Sequence, residues 1–92
     1  MHTGDPITPE ALAAELDRIC ESPAFRHSLR HQQFLRHLIA CKLGGQLAAL
    51  REIALGIDFF GRAASTYDPK TDAVVRIEAG RLRQRLDRYY HG

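Results

Sequence analysis

Hydrophobic residues recur every three to four positions along most of this chain, and that spacing is the period of an α-helix packed on a core. Four segments have this period, and no alternating stretch is long enough to predict a strand. The pattern therefore predicts an all-α or mainly α fold of about four helices. The predicted helices cover residues 9–21, 29–43, about 48–60 and 72–90.

Residues with capping side chains or restricted backbones mark the ends of these segments. Thr8, Ser28 and Asp72 each precede a helix, where a side-chain oxygen can accept a hydrogen bond from a free amide of the first turn. The first helix is predicted to end at Ser22-Pro23, because a proline disfavours the α conformation in the residue before it. The other predicted ends are Gly44-Gly45 and Gly61.

Each predicted helix carries one stripe of apolar side chains, which we expect to face a shared core. The inward positions are Leu12, Leu16, Ile19 and Cys20 in the first helix; Phe34, Leu35, Leu38 and Ile39 in the second; Leu50, Ile53, Ala54, Ile57 and Phe60 in the third; and Val75, Ala79, Leu82, Leu86 and Tyr89 in the fourth.

The face of the fourth helix opposite its apolar stripe is rich in arginine. Guanidinium groups bind phosphates and the major-groove edge of guanine through paired hydrogen bonds, so this face is a candidate DNA-binding surface. Successive residues of a helix are rotated by about 100°, and this rotation places seven candidate DNA-binding residues away from the apolar stripe. They are Arg76, Ile77, Gly80, Arg81, Arg83, Gln84 and Arg88.

The positive charge of the chain is concentrated on this helix. Residues 73–92 hold five arginines and two acids, whereas residues 1–72 have a net charge of −1 within a total of +2. All five cations there are arginine rather than lysine, which favours a role for the planar, bidentate guanidinium group. An ordinary solvent-exposed helix is the alternative, because acids lie three or four residues from arginines. The pairs with that spacing are Glu78–Arg81, Asp87–Arg83 and Asp72–Arg76.

The chain has 92 residues, of which 45% are hydrophobic, and this is enough for one domain with one modest core. We predict that residues 8–92 form this domain and that residues 1–7 are flexible. No apolar run reaches the length of a membrane span and the N-terminus lacks a signal-peptide pattern, so we expect a cytoplasmic protein. Cys20 and Cys41 lack metal-binding spacing and are expected to be reduced, buried thiols rather than a disulfide.

Other chemistry is less well supported by the sequence. His27 and His31 are four residues apart, the spacing of two metal ligands on one helix face, but no third ligand is evident. We therefore expect solvent-exposed histidines and no metal. The glycines lack the context of a phosphate-binding loop, and no grouping of serine, histidine and acid is recognisable. The sequence predicts neither an enzyme nor a cofactor site.

Two segments of the chain resemble one known module. The first begins at Phe34 and reads FLRHLIACKLGG, and the second begins at Leu50 and contains FGR, YDP, VRIEAGRLR and a terminal Tyr-Tyr. Residues 25–90 together resemble the winged-helix-like domain that opens many bacterial multidomain regulators, upstream of tetratricopeptide or adenylate-cyclase-like regions. The stretch VRIEAGRLRQRL is also similar, more distantly, to the recognition helix of OmpR/PhoB-type response-regulator effector domains.

The resemblance implies a helix-turn-helix domain. Residues 50–60 would form the positioning helix and residues 72–90 the recognition helix, which enters the major groove. Positions matched to the family's motif place Ile77 and Arg81 at the bases, and Arg76 and Arg83 near phosphates or base edges. These families follow the recognition helix with a β-hairpin wing, which this chain lacks. We expect either a fragment of a longer regulator or a wingless form.

Two functions are consistent with these features. The first is double-stranded DNA binding by a bacterial transcriptional regulator, and the second is a protein-interaction module that holds a partner such as polymerase or a sensor domain. One small domain buries only about 600 to 1,000 Å² on DNA, so tight binding is expected to need a homodimer or adjacent copies. Val74 and the first helix are the candidate dimer contacts.

Overall fold

The computed structural model describes residues 8–91, which form an all-α domain without a β-strand. The predicted fold class is therefore confirmed, whereas the predicted flexible segment of residues 1–7 lies outside the described residues. The helices are α1 (Pro9–Glu21), α2 (Leu29–Leu43), a short 3-10 helix (Leu47–Leu50), α3 (Glu52–Asp58) and α4 (Val74–His91).

Polar side chains cap the starts of the helices and glycines follow their ends, largely as predicted. The Thr8 hydroxyl accepts a hydrogen bond from a first-turn amide of α1 at 3.0 Å, and Asp72 Oδ1 accepts one from the first amide of α4 at 3.1 Å. Gly45 and Gly61 have φ angles of 70° and 71°, in the left-handed region that favours glycine. Ser28 is the exception, because its side chain makes no capping hydrogen bond to α2.

The third predicted helix is divided in two. Arg51 has extended backbone angles, with φ of −68° and ψ of 151°, and it separates the 3-10 helix from α3. The extended residue resets the helical phase, so the stripe predicted from one continuous helix is partly wrong. Ile53, predicted to face inward, is 55% exposed, and the buried residues of α3 are Leu55 and Gly56.

The core lies where the apolar stripes of α1, α2 and α4 meet the phenylalanines that follow α3. Phe25 and Phe34 are its most enclosed side chains, with 0% and 1% exposure. The Phe34 ring centroid lies 5.1 Å from the centroids of both Phe59 and Phe60. The predicted stripe of α4 is confirmed: Val75 and Leu82 are buried, and Ala79, Leu86 and Tyr89 pack against the core.

The connection between α3 and α4, residues 59–73, contains turns but no helix or strand and is held by side chains. The Tyr67 ring lies against the backbone of Gly56, so closely that a Cβ built on this glycine would be 2.3 Å from ring atom Cε2. Arg62 Nε donates to Asp72 Oδ2 at 2.8 Å, just before α4 begins. These contacts fix the position of the first turn of α4 relative to α3.

Candidate nucleic-acid interface

Helix α4 presents an exposed surface opposite its core stripe, and we name this surface the α4 outer face. Its central line consists of Ile77, Gly80 and Gln84, of which Ile77 is 51% exposed. Because successive residues are rotated by about 100°, the arginines fall on the two edges of this line. Arg76 and Arg83 follow one edge, and Arg81 and Arg88 follow the other, all four with exposed side chains.

Gly80 leaves an unfilled position on the central line. A Cβ built on it meets no heavy atom within 4 Å, so no neighbour among the described residues requires a glycine here. Glycine inside a helix costs about 1 kcal/mol relative to alanine. Gly56 is different, because the Tyr67 ring occupies the space that its side chain would take. The packing of the described residues therefore accounts for Gly56 but not for Gly80.

Arg76 joins α4 to the neighbouring elements. Its Nη1 donates to Glu52 Oε2 of α3 at 2.6 Å, and its Nη2 donates to the carbonyl oxygen of Pro69 at 2.9 Å. The Arg76–Asp72 pair that the spacing allows does not form, because Asp72 binds Arg62 instead. The Arg62 guanidinium holds the pKa of the Asp72 carboxyl below its ordinary value. Arg76 remains 53% exposed and still contributes charge to the α4 outer face.

The three remaining arginines of the C-terminal half of α4 have different surroundings. Arg83 and Arg88 are exposed and form no ion pair within residues 8–91, so the Arg83–Asp87 pair that the spacing allows is absent there. Arg85 is half-buried, and its Nη1 donates to the carbonyl oxygen of Ala24 at 2.7 Å. Arg85 therefore fixes α4 to the link between α1 and α2, while Arg83 and Arg88 point their charge at solvent.

Glu78 is a buried acid at the edge of the core stripe, with 5% exposure. Its Oε1 lies 3.0 Å from His31 Nε2, and the other ring nitrogen of His31 lies 2.6 Å from Ser28 Oγ. The other carboxylate oxygen, Oε2, lies 3.4 Å from Arg81 Nη1 and 3.5 Å from Arg30 Nη1. Of the three pairs that the spacing allows, Glu78–Arg81 does form, as one contact of a larger cluster.

Two sequence predictions are wrong at this cluster. His31 was expected to be exposed to solvent, but it is 7% exposed between α2 and α4. A serine, a histidine and an acid do form a hydrogen-bonded chain, although the sequence separates His31 from Glu78 by 47 positions. One signal was available: Glu78 falls three residues after Val75 and four before Leu82, in line with two buried positions. Arg30 carried no comparable signal.

Within residues 8–91, no three or more His, Cys, Asp or Glu side chains are placed to bind a metal ion. Cys20 and Cys41 are free and buried, as expected. Burial raises the pKa of the Cys20 thiol, which disfavours its thiolate form.

No known protein family, no curated protein and no solved structure matches the chain. Among residues 8–91, no helix is both long and apolar enough to cross a membrane.

Proposed function

We propose that the chain binds double-stranded DNA through the α4 outer face, as the DNA-binding domain of a bacterial transcriptional regulator in the cytoplasm. Helix α4 has 18 residues, and a helix of that length extends about 27 Å, enough for one side of it to follow a major groove. Its exposed arginines supply the phosphate contacts that dominate affinity for DNA. The resemblance of residues 25–90 to winged-helix-like domains supports the same function.

The layout of the α4 outer face supports a division of roles. The central line, Ile77, Gly80 and Gln84, would face the base edges, where an apolar side chain can contact a thymine methyl group and Gln can pair with adenine. The arginines on the two edges would face the two phosphate backbones that border the groove. Sequence preference would then depend on the central line, and salt-dependent affinity on the edges.

Gly80 is the observation that carries this proposal. A glycine that costs helix stability and has no close neighbour at its Cβ position is explained if another molecule approaches the helix backbone there. A groove-bound helix makes such an approach, because bases and phosphates surround its outer face. The contrast with Gly56, which the fold itself explains, makes Gly80 a specific marker of the contact surface.

The proposal is tested by fluorescence anisotropy with a labelled duplex from the region upstream of the protein's own gene and a random duplex, each across a salt series. We expect affinity to fall steeply with salt. Gln84→Ala should reduce the preference between the duplexes by about 1 to 3 kcal/mol. Arg88→Ala should weaken binding to both duplexes alike and lower the salt slope by about 1.

Lys42→Ala is the control for charge. Lys42 is exposed at the end of α2, so its substitution removes one cation outside the α4 outer face. Absence of binding to either duplex at low salt would overturn the proposal. The exposed arginines would then fit a protein partner with acidic side chains, which is the alternative function of this scaffold, and polymerase or a sensor domain would be the partner to test.

The size of the domain implies more than one copy on tightly bound DNA. A single small module buries about 600 to 1,000 Å² on a duplex, so we propose a homodimer or adjacent copies. Val74 is a poor dimer contact, because it packs against the core of its own chain. The exposed side of α1 is therefore the remaining candidate contact. Binding stoichiometry on duplexes with one or two sites tests whether more than one copy binds.

A further inference from the structure

We infer that Arg30 of α2 and Arg81 of α4, held together over the buried Glu78 carboxylate, form a two-guanidinium clamp for one backbone phosphate of DNA. Glu78 is the positioning residue of this clamp. The inference rests on the proposed function and extends it, because it adds a second helix to the interface and places Arg81 and Arg30 at the same phosphate.

The geometry brings two cations from different helices to one point. Arg81 Nη1 and Arg30 Nη1 lie 3.4 and 3.5 Å from the same oxygen, Oε2 of Glu78. The Arg81 and Arg30 side chains are 61% and 55% exposed, whereas the Glu78 side chain is only 7% exposed. The acid therefore lies beneath the two guanidinium groups, which a ligand can reach from solvent.

The Glu78 carboxylate is itself fixed from the inside. Its Oε1 is 3.0 Å from His31 Nε2, and His31 is in turn 2.6 Å from Ser28 Oγ. Since the inner oxygen is occupied, the outer oxygen is directed at the arginines. Arg30 has a further restraint, because its guanidinium carbon lies 5.2 Å from the centroid of the Phe60 ring. The clamp is therefore largely formed before any ligand arrives.

The net charge of the cluster suits the binding of one anion. Two guanidinium groups and one carboxylate carry a net charge of +1, which matches the single negative charge of a phosphodiester. Contacts of 3.4 and 3.5 Å are longer than the roughly 2.7 to 2.9 Å of optimal charged hydrogen bonds. Each guanidinium has five N–H donors, so most of them stay available for phosphate oxygens.

The clamp makes a prediction that net charge alone does not. Glu78→Gln keeps the size of the side chain and a partner for His31, but it removes the negative charge that gathers the two arginines. From net charge alone, removing an acid should raise DNA affinity, because it reduces repulsion of the phosphate backbone. We expect affinity to fall instead, by about three- to tenfold for both duplexes, because the arginines disperse.

Asp87→Asn is the matched control for this charge change. Asp87 is an exposed acid on the same helix and forms no ion pair within residues 8–91. Its replacement should raise affinity slightly. If Glu78→Gln raises affinity as Asp87→Asn does, the clamp is refuted. Circular dichroism and a urea midpoint establish that each variant is folded before its affinity is compared.

Arg30 provides a second test that does not alter a buried residue. Arg30→Ala should weaken binding to both duplexes by about three- to tenfold and reduce the salt slope by about 1, with their affinity ratio unchanged. Lys42→Ala, about 18 Å away along α2, should have no such effect. Arg30→Lys should restore the salt slope but only part of the affinity, because an ammonium group lacks the planar fork.

The outcomes separate this inference from the proposed function. If the unmodified protein does not bind DNA, the proposed function fails and the clamp fails with it. If the protein binds and Arg88→Ala weakens binding, but Arg30→Ala does not, the proposed function stands and the clamp is overturned. A change in sequence preference after Arg81→Ala would also overturn the phosphate assignment and place Arg81 at a base.

Discussion

Gly56 and Gly80 are both helical glycines, and the structure predicts opposite effects when each becomes alanine. Gly56→Ala should destabilise the fold by about 1 to 3 kcal/mol, because the new methyl group would collide with the Tyr67 ring. Gly80→Ala should stabilise it by about 0.5 to 1 kcal/mol, because the position is open and alanine is the better helix former. Urea unfolding curves of the two variants test both signs.

The Gly80→Ala variant also separates stability from binding. If α4 lies in a groove, the variant should unfold at higher urea and yet bind DNA more weakly, since its methyl group occupies the approach path. Unchanged affinity would show that no ligand comes near this position. For Gly56→Ala, the cause is tested by adding Tyr67→Ala, which should remove most of the cost of the first substitution.

Tyr67 has a buried hydroxyl group with no hydrogen-bond partner among the described residues. Burial also raises the pKa of this phenol. Tyr67→Phe should leave the free energy of unfolding unchanged or raise it by about 1 kcal/mol, because it removes a desolvated polar atom and keeps the ring on Gly56. A thermal or urea midpoint is sufficient to measure this. A clear loss of stability would contradict the prediction and indicate that the hydroxyl is hydrogen-bonded in solution.

The Asp72 carboxylate caps the start of α4 and binds Arg62, so the stability of the fold should depend on pH. The Arg62 hydrogen bond lowers the pKa of Asp72 in the folded state, so this group stabilises the fold above its unfolded pKa of about 3.9. That contribution is lost as pH falls through the lowered folded value. Asp72→Asn should therefore be less stable than the natural chain at neutral pH, with a smaller difference in strong acid.

Sequence patterns predicted α1, α2 and α4 well, and the reason is that their ends have local causes. Thr8 and Asp72 cap helices by contacts within a few residues, and Gly45 needs only its own backbone angle. The third helix was predicted less well. Arg51 has no sequence feature that marks it as extended, and so the break between the 3-10 helix and α3, which exposes Ile53, was not predictable from periodicity.

Across the whole molecule, two arginines of α4 form a matched pair that tests the division between holding the fold and facing solvent: Arg85 binds another part of the chain, whereas Arg83 forms no ion pair within residues 8–91. Arg85→Ala should destabilise the fold by about 1 to 2 kcal/mol, because it removes the bond to the Ala24 carbonyl. Arg83→Ala should change stability by less than about 0.5 kcal/mol and weaken DNA binding instead. Equal effects on stability from both variants would contradict the division.

The candidate interface was predictable only in part. The outer positions of α4 follow from helical periodicity, and the structure exposes all seven candidate residues except Gly80, which is partly buried. Arg30 and His31 were missed because their contacts with Glu78 join residues 48 and 47 positions apart. Helical periodicity describes one element at a time, and it carries no information about which side chains of two helices meet.

The contacts that join α4 to α1 and to the link after α1 bear on how the domain folds during synthesis. Arg85 binds the carbonyl of Ala24, and the Tyr90 hydroxyl lies 3.5 Å from Glu15 of α1, a separation of 75 positions. At about 5 to 20 residues per second on the ribosome, α1 would be made several seconds before α4 emerges. A ribosome that stalls before α4 therefore leaves both α1 and the link that follows it without these contacts.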